Sequence, residues 1–251
     1  MPAAVGILRA VDDNAAKAVS AGHEWGHASP HRVRIVDATL TCLARYGTVK
    51  TTVDDIARQA GLSRATIYRA FPGGREEILG AVVDTEAARL FSALGVRLGA
   101  ASGLEEALVA GIVEASTRIR DHPALNYLVA HEPETILGHL AFEDSDRLMK
   151  AASRFAAPFL ARWLRPAEAG RVAEWGTRIV LSFALSPSPR TDLCDPEQTA
   201  RLVHTFVIPG VRALHRAATP QTTVLAPASL SPHHEEVAGV GPRPATEGAI
   251  P

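Results

Sequence analysis

The run Thr51 to Phe71, TTVDDIARQAGLSRATIYRAF, holds the side chains of this chain best suited to grip a nucleic acid. Arg64 and Arg69 can each present two donors to the O6 and N7 of a guanine. Thr66 can touch a thymine methyl or a phosphate, and Tyr68 can donate to a phosphate oxygen. All four lie on or beside one side of a short segment, while Ile67 and Phe71, four residues apart, point the other way. On composition alone, a small helical cap with merely solvated arginines would look the same.

Reading bases requires a rigid support, and the flanking residues predict one. Thr52, followed three residues later by Asp55, resembles a capping box with a shorter acid than usual, so a helix should start at Val53 and run to Ala60. Ile56, Ala57 and Ala60 give it an apolar face. Gly61 permits a sharp turn, Leu62 plugs the space beneath it, and Ser63 is the residue type that caps a second helix, Arg64 to Phe71. A helix, a glycine turn and a helix make the helix-turn-helix layout. In it the second helix enters the major groove, its early residues meet base edges, and caps and hydroxyls meet phosphates.

With IVDATLTCLARYG before it and EEIL after it, this run resembles the DNA-binding domain of the TetR family of transcriptional regulators over about residues 31 to 80, in order, spacing and residue type. The resemblance implies that Thr52 caps its helix and touches a phosphate. It also implies that Arg64, Ala65, Thr66, Arg69 and Ala70 face bases and that Tyr68 binds the backbone. One position departs from the pattern. The family places a Lys three residues after the Phe, where Gly74 stands here; the turn Phe71 to Gly74 is one residue longer, and Arg75 becomes the substitute phosphate contact.

The rest of the chain must carry this head. Ala, Leu, Arg and Glu recur at helical spacing, aromatic residues are only 5%, and alternating β-branched patterns are rare, so the fold class is all-α. A first helix is expected from His31 to Arg45, ending at Gly47. Later helices are expected at Glu76–Leu98, Leu104–Arg120, Ala124–His131, Glu134–Leu140, Asp144–Leu164, Glu168–Leu185 and Glu197–His215, the last bent at Pro209. Residues 1 to 28 read as a flexible arm that holds a short helix near Leu8 to Val19. From 217 to 251, six prolines among small residues read as a disordered tail. The organisation is therefore an arm (1–28), a helix-turn-helix domain (29–80), a helical body (81–216), which the resemblance implies is an effector-binding and dimerisation domain, and a tail (217–251).

The net charge is −1, yet residues 31 to 80 hold eight Lys or Arg against five acids, so the head carries a surplus of three positive charges and the remainder is acidic. Cys42 and Cys194 are too far apart in sequence to suggest a disulfide framework or a metal cluster. The longest uncharged apolar stretch, Ile179 to Pro189, is about half of what a membrane span needs. The start has no basic leader, and a cytoplasmic protein is expected.

In the body, Trp175, Ile179, Phe183, Leu202, Val203 and Phe206 make more apolar stripe than one core helix needs. The residues alone allow a dimer seam or an intramolecular core; the resemblance implies a homodimer built on the last two body helices. It also implies a small effector among the central helices. Leu125, Leu128, Leu137, Leu140, Phe142, Phe155, Phe159 and Trp163 mark that region, whose few charges suit a hydrophobic or amphipathic compound. Each is as well suited to plain core. The stretch His131, Glu132, Pro133, Glu134 with His139 has metal-ligand residue types, but Pro133 breaks the helical spacing a metal pair needs, so neither metal nor cofactor is expected. The expected function is a ligand-responsive repressor that binds a double-stranded DNA operator and has no membrane partner. Two other classes compete: an adaptor that uses its helix-turn-helix as a protein surface, and an enzyme, for which no GxSxG, P-loop or GxGxxG supplies an anchor.

Overall fold

Pro30 opens the first helix, α1 (Pro30–Lys50), because its fixed φ suits a helix start and its missing N–H would lack a partner there anyway. A computed structural model describes residues 29–134 and 145–217 of the chain. The expected arm (1–28), most of the expected helix Glu134–Leu140, and the tail beyond 217 lie outside the described residues. Among the described residues every regular element is helical.

After α1 come α2 (Val53–Ala60), α3 (Arg64–Ala70), α4 (Gly74–Ala100), α5 (Leu104–Arg120) and α6 (Pro123–His131). Then follow α7 (Ser145–Leu160), α8 (Pro166–Leu185) and α9 (Pro196–Leu202), which passes through a π-helical turn, Val203–Val207, into α10 (Ile208–Ala217). Helices α2 and α5 fall on their expected residues, and α3 ends one residue early, with Phe71 as its C-cap. The helix expected to reach Leu164 stops at Leu160. Pro158 removes one bond from its last turn, and Pro166 forces Arg165 into an extended conformation, φ −66° and ψ 152°. Ahead of Pro209, where a bend is expected, the helix passes through a π turn. The Ile208 N–H donates to the Val203 carbonyl, one residue beyond α-helical reach, which is the signature of a π turn.

Two cores result. Ile35, Val36, Cys42 and Leu43 of α1 close over Ile56, Ala57, Ile67 and Phe71, with Ile78 and Val82 of α4 and Ala124 of α6. Burial raises the Cys42 thiol pKa above its ordinary value. The second core joins Phe91 and Leu98 of α4, Ala107, Leu108 and Ile112 of α5, Phe155 of α7, Val172 and Val180 of α8, and Val203, Val207 and Val211. Helix α4 belongs to both. A 27-residue helix spans about 40 Å, so it joins the small head to the larger body as one rod.

Candidate nucleic-acid interface

Helix α3 has seven residues, too few to be stable alone, so its direction depends on what holds its ends. Ser63 caps the N-terminus: its Oγ accepts from the Thr66 N–H at 3.1 Å and lies 2.9 Å from the Thr66 hydroxyl. Ahead of it, Gly61 takes the left-handed turn (φ 61°, ψ 39°), and its N–H is directed at the carbonyls of Ala57 and Arg58. The preceding helix starts on the expected capping box. The Thr52 Oγ1 accepts from the Asp55 N–H, and the Asp55 carboxylate accepts from the Thr52 N–H, both at 3.2 Å. The Thr52 hydroxyl, which also donates to the Asp55 carboxylate at 2.5 Å, and then the Thr52 N–H hold the Asp55 carboxyl below the usual carboxylate range. Ile67 and Phe71 are fully buried, so the opposite side of α3 faces outward.

That outward side carries Arg64, Ala65, Tyr68 and Arg69, all exposed, with Thr66 and Ala70 half-buried beside them. The Arg64 Nε lies 2.8 Å from Oδ1 of Asp54 on α2, an acid that was not singled out from the sequence. Both partners are largely solvated, and such a pair contributes about 0–1 kcal/mol, so exchanging Asp54 for a base edge costs little.

Arg75 sits differently from its sequence assignment. Its Nε donates to the Thr51 carbonyl at 2.8 Å and its Nη2 to the Thr48 carbonyl, so the guanidinium ties the first turn of α4 to the link between α1 and α2. Gly74 has φ 65°, and a Cβ there would meet the Tyr68 ring at 3.3 Å. The longer turn thus requires glycine where the family pattern has lysine.

Opposite Arg75, Glu132 at the end of α6 reaches the same segment. Its carboxylate accepts from the Thr48 N–H at 3.2 Å, from the Thr48 hydroxyl, and from the Val49 N–H at 3.5 Å. The approach is possible because Gly47 breaks α1 with φ 75° and ψ −173°, a conformation almost confined to glycine, and a Cβ there would overlap the Glu132 carboxylate. His131 stacks on Tyr127 with ring centroids 4.2 Å apart, and its Nδ1 lies 2.9 Å from the Tyr127 carbonyl. Of the stretch that held metal-ligand residue types, Glu132 joins α6 to α1, and His139 lies outside the described residues.

Residues 35–82 match the model of the bacterial regulatory proteins of the tetR family. Over these residues the chain is similar to the DNA-binding part of the TetR family. An HTH-type transcriptional regulator of Mycobacterium tuberculosis, Rv1255c, is 28% identical to it over 205 residues, covering 80% of this chain and 98% of that protein. A second, from Mycobacterium bovis, is 33% identical over 87 residues, 35% of this chain and 43% of that protein. Among solved structures, the TetR family repressor AlkX from Dietzia, implicated in biodegradation of n-alkanes, superimposes with a TM-score of 0.54 at 24% identity, over 76% of this chain and 98% of that one. The fatty acid degradation regulator FadR of Bacillus halodurans gives 0.51 at 17% identity, over 70% of this chain and 96% of that one. These likenesses extend the TetR fold into the body. The head thus matches the helix-turn-helix of TetR-family transcriptional regulators, and the chain as a whole is similar to proteins named HTH-type transcriptional regulators.

The body residues singled out from the sequence separate into groups. Phe155 is buried with its ring 4.7 Å from that of Phe91 and 5.4 Å from that of Phe159, and Trp163 packs against the same core. Leu125 and Leu128 lie on α6, half-buried and buried, while Leu137, Leu140 and Phe142 fall outside the described residues. A groove of about 410 Å³ lies elsewhere, between Ser102–Glu106 and Ile208, Val211 and Arg212. Of the residues expected at a dimer seam, Trp175, Ile179, Phe183 and Leu202 are half-buried and Phe206 is 75% exposed. Val203 corrects the sequence assignment: it is 0% exposed within the single chain and packs in the body core. No helix among the described residues is long and apolar enough to cross a membrane.

Proposed function

We infer that this chain is a cytoplasmic homodimeric repressor, released from its operator by a small apolar or amphipathic effector. The observation that carries the DNA-reading assignment is the outward side of α3: Arg64, Ala65 and Arg69 are exposed on a helix whose inner side is fully buried and whose N-terminus is capped. In this reading Arg64 and Arg69 address guanines, Ala65 and Thr66 contact thymine methyls, and Thr52, Ser63 and Tyr68 meet phosphates. Arg75 holds the α1–α2 link from inside the protein instead of reaching for a phosphate.

Phe206, with Trp175, Ile179, Phe183 and Leu202 nearby in sequence register, supports a second copy as the partner of α8–α10. A phenylalanine 75% exposed on a folded helix gains from burial against a symmetry mate. The effector class rests on the apolar side chains of α6 (Leu125, Leu128), of α7 (Phe155, Phe159) and of the turn that follows α7 (Trp163). The n-alkane and fatty acid settings of AlkX and FadR agree with that class. A hydrophobic ligand gains about 25 cal/mol for each Å² of apolar surface buried. If it favours a head spacing that misfits successive major grooves, linkage requires DNA and ligand to weaken each other by the same factor.

The test is a mobility shift with DNA from upstream of the chain's own gene, followed by titration of the complex with fatty acids, steroids and polar metabolites. Release by fatty acids or steroids is expected. Failure to bind any DNA would leave the adaptor reading, and release by polar metabolites alone would refute the apolar effector.

A further inference from the structure

We propose that Arg32 is a positioning residue for sequence reading: from α1 it fixes the C-terminal end of α3, and with it the angle at which Arg64, Thr66 and Arg69 meet base edges. The proposal rests on α3 being the reading helix.

The last carbonyls of any helix lack partners within the helix, and in a seven-residue helix they are half of the structure. Phe71 closes the final turn by donating its N–H to the Ile67 carbonyl at 2.8 Å. The Ala70 carbonyl, the last of α3, accepts from Nη1 of Arg32, a residue 38 positions earlier in the chain. The same guanidinium lies over the Phe71 ring, with Cζ 3.9 Å from its centroid, and Nη1 stands 3.6 Å from Oε1 of Glu77. The other oxygen of Glu77 accepts from the Gly73 N–H at 2.8 Å, in the turn that leaves α3. One side chain therefore joins the start of α1, the end of α3 and the start of α4.

Only arginine combines these contacts. Its planar fork can donate to a carbonyl, stack on a ring and face a carboxylate at once, whereas an ammonium is a point charge on a flexible stem. A cation at a helix C-terminus also opposes the negative end of the helix dipole. With Ser63 fixing one end and Arg32 the other, α3 has a defined axis. Released at the Ala70 end, it can pivot about the Ser63 cap. At about 1.5 Å of rise per residue, Arg69 lies about 9 Å from that cap, so a tilt of about 10° moves it about 1.5 Å. That exceeds the tolerance of about 0.5 Å for a two-donor contact to guanine.

A duplex selected by the wild-type protein from a random pool supplies the specific probe, and a scrambled duplex of equal length the non-specific one. Binding of both is followed by fluorescence anisotropy over a range of KCl concentrations. Arg32→Ala is expected to weaken the selected duplex about ten- to hundredfold, the equivalent of one lost base contact. It should leave the scrambled duplex and the salt slope unchanged. Arg32→Lys should not restore the loss, and amide exchange at Phe71 should quicken in both variants.

Equal weakening on both duplexes with a salt slope lower by about one would make Arg32 a phosphate contact and overturn the proposal. Unchanged affinity with a lower melting temperature would reduce it to a stabilising residue. If Arg32→Ala does not fold, Arg32→Gln keeps an amide donor without the charge, and the same comparison decides. If no sequence is enriched from the pool, or Arg64→Ala binds the selected duplex as well as wild type, the reading-helix assignment fails on its own. The exchange rate of the Phe71 amide still reports whether Arg32 holds α3.

Discussion

The junction of Gly47 and Glu132 allows a double-mutant cycle whose outcome follows from the geometry. Glu132→Ala removes a carboxylate that accepts from the Thr48 N–H, the Thr48 hydroxyl and the Val49 N–H. Hydrogen bonds to a charged group contribute about 1.5–3 kcal/mol, and here the site is only part-buried, so the loss should be about 2 kcal/mol. Gly47→Ala places a side chain at φ 75° and ψ −173°, which costs about 2 kcal/mol in backbone strain. The new Cβ also overlaps Glu132 and displaces its carboxylate from Thr48, so about another 2 kcal/mol goes with it. The single variants should thus lose about 2 and about 4 kcal/mol. In the double variant the carboxylate bonds are lost only once, for a total of about 4 kcal/mol, and the coupling is about 2 kcal/mol. Urea unfolding at neutral pH measures all four corners. Losses that add to within about 0.5 kcal/mol would show that Glu132 does not occupy the space beside Gly47.

Other expected outcomes test the remaining assignments. Arg64→Ala should weaken a selected operator by about 1–3 kcal/mol and relax its base preference, read by anisotropy on single-base variants of the duplex. Arg75→Ala should instead lower stability without reducing the salt slope of DNA binding, since its guanidinium bonds to Thr51 and Thr48; a slope lower by about one would restore the phosphate role. Phe206→Glu should give a folded monomer by sedimentation where the parent is a dimer, because burying an unpartnered carboxylate costs several kcal/mol, and a dimeric variant would move the seam away from α9–α10.

What could be read in advance was what is specified locally. The limits of α2 and α3 follow from Thr52, Asp55, Gly61 and Ser63, each acting on backbone groups within about four residues, so their types and spacing suffice. The outward residues of α3 follow from the burial of Ile67 and Phe71. The contacts that fix the helices against one another were not legible. Thr48 and Glu132 are 84 positions apart, and Arg32 and Ala70 are 38 apart; nothing in a polar side chain's neighbours says which distant amide or carbonyl it will meet. Arg75 shows the same limit. Its place after the turn suggested a phosphate, whereas the fold brings the carbonyls of Thr48 and Thr51 to it first. Apolar residues fail differently: Phe155 has the same sequence signature as core or as ligand wall, and only its packing on Phe91 shows where it sits.

A second junction, where α1, α4 and α6 meet, is ionic, and its pH dependence has a definite sign. Arg89 on α4 reaches Asp37 on α1 at 3.0 Å and Glu86 at 2.6 Å, and the other oxygen of Glu86 lies 3.2 Å from Nε2 of His122, the cap of α6. Because His122 Nδ1 accepts from the Leu125 N–H, Nε2 carries the hydrogen that it donates to Glu86. This bond first, and those from Arg89 with it, hold the Glu86 carboxyl below its ordinary value. A carboxyl with a depressed folded pKa adds stability above its unfolded pKa and loses it as pH falls through the folded one. Glu86→Gln keeps the shape without the charge. It should be about 1–2 kcal/mol less stable than wild type at neutral pH, with the gap closing below the ordinary carboxylate range as Glu86 becomes neutral. Asp55 and Glu114 also have lowered pKa values, so both proteins weaken in acid, and the difference between them isolates Glu86. Urea midpoints at neutral and acidic pH supply the comparison, and a gap that stayed constant with pH would show that the Glu86 charge does not join α4 to α6.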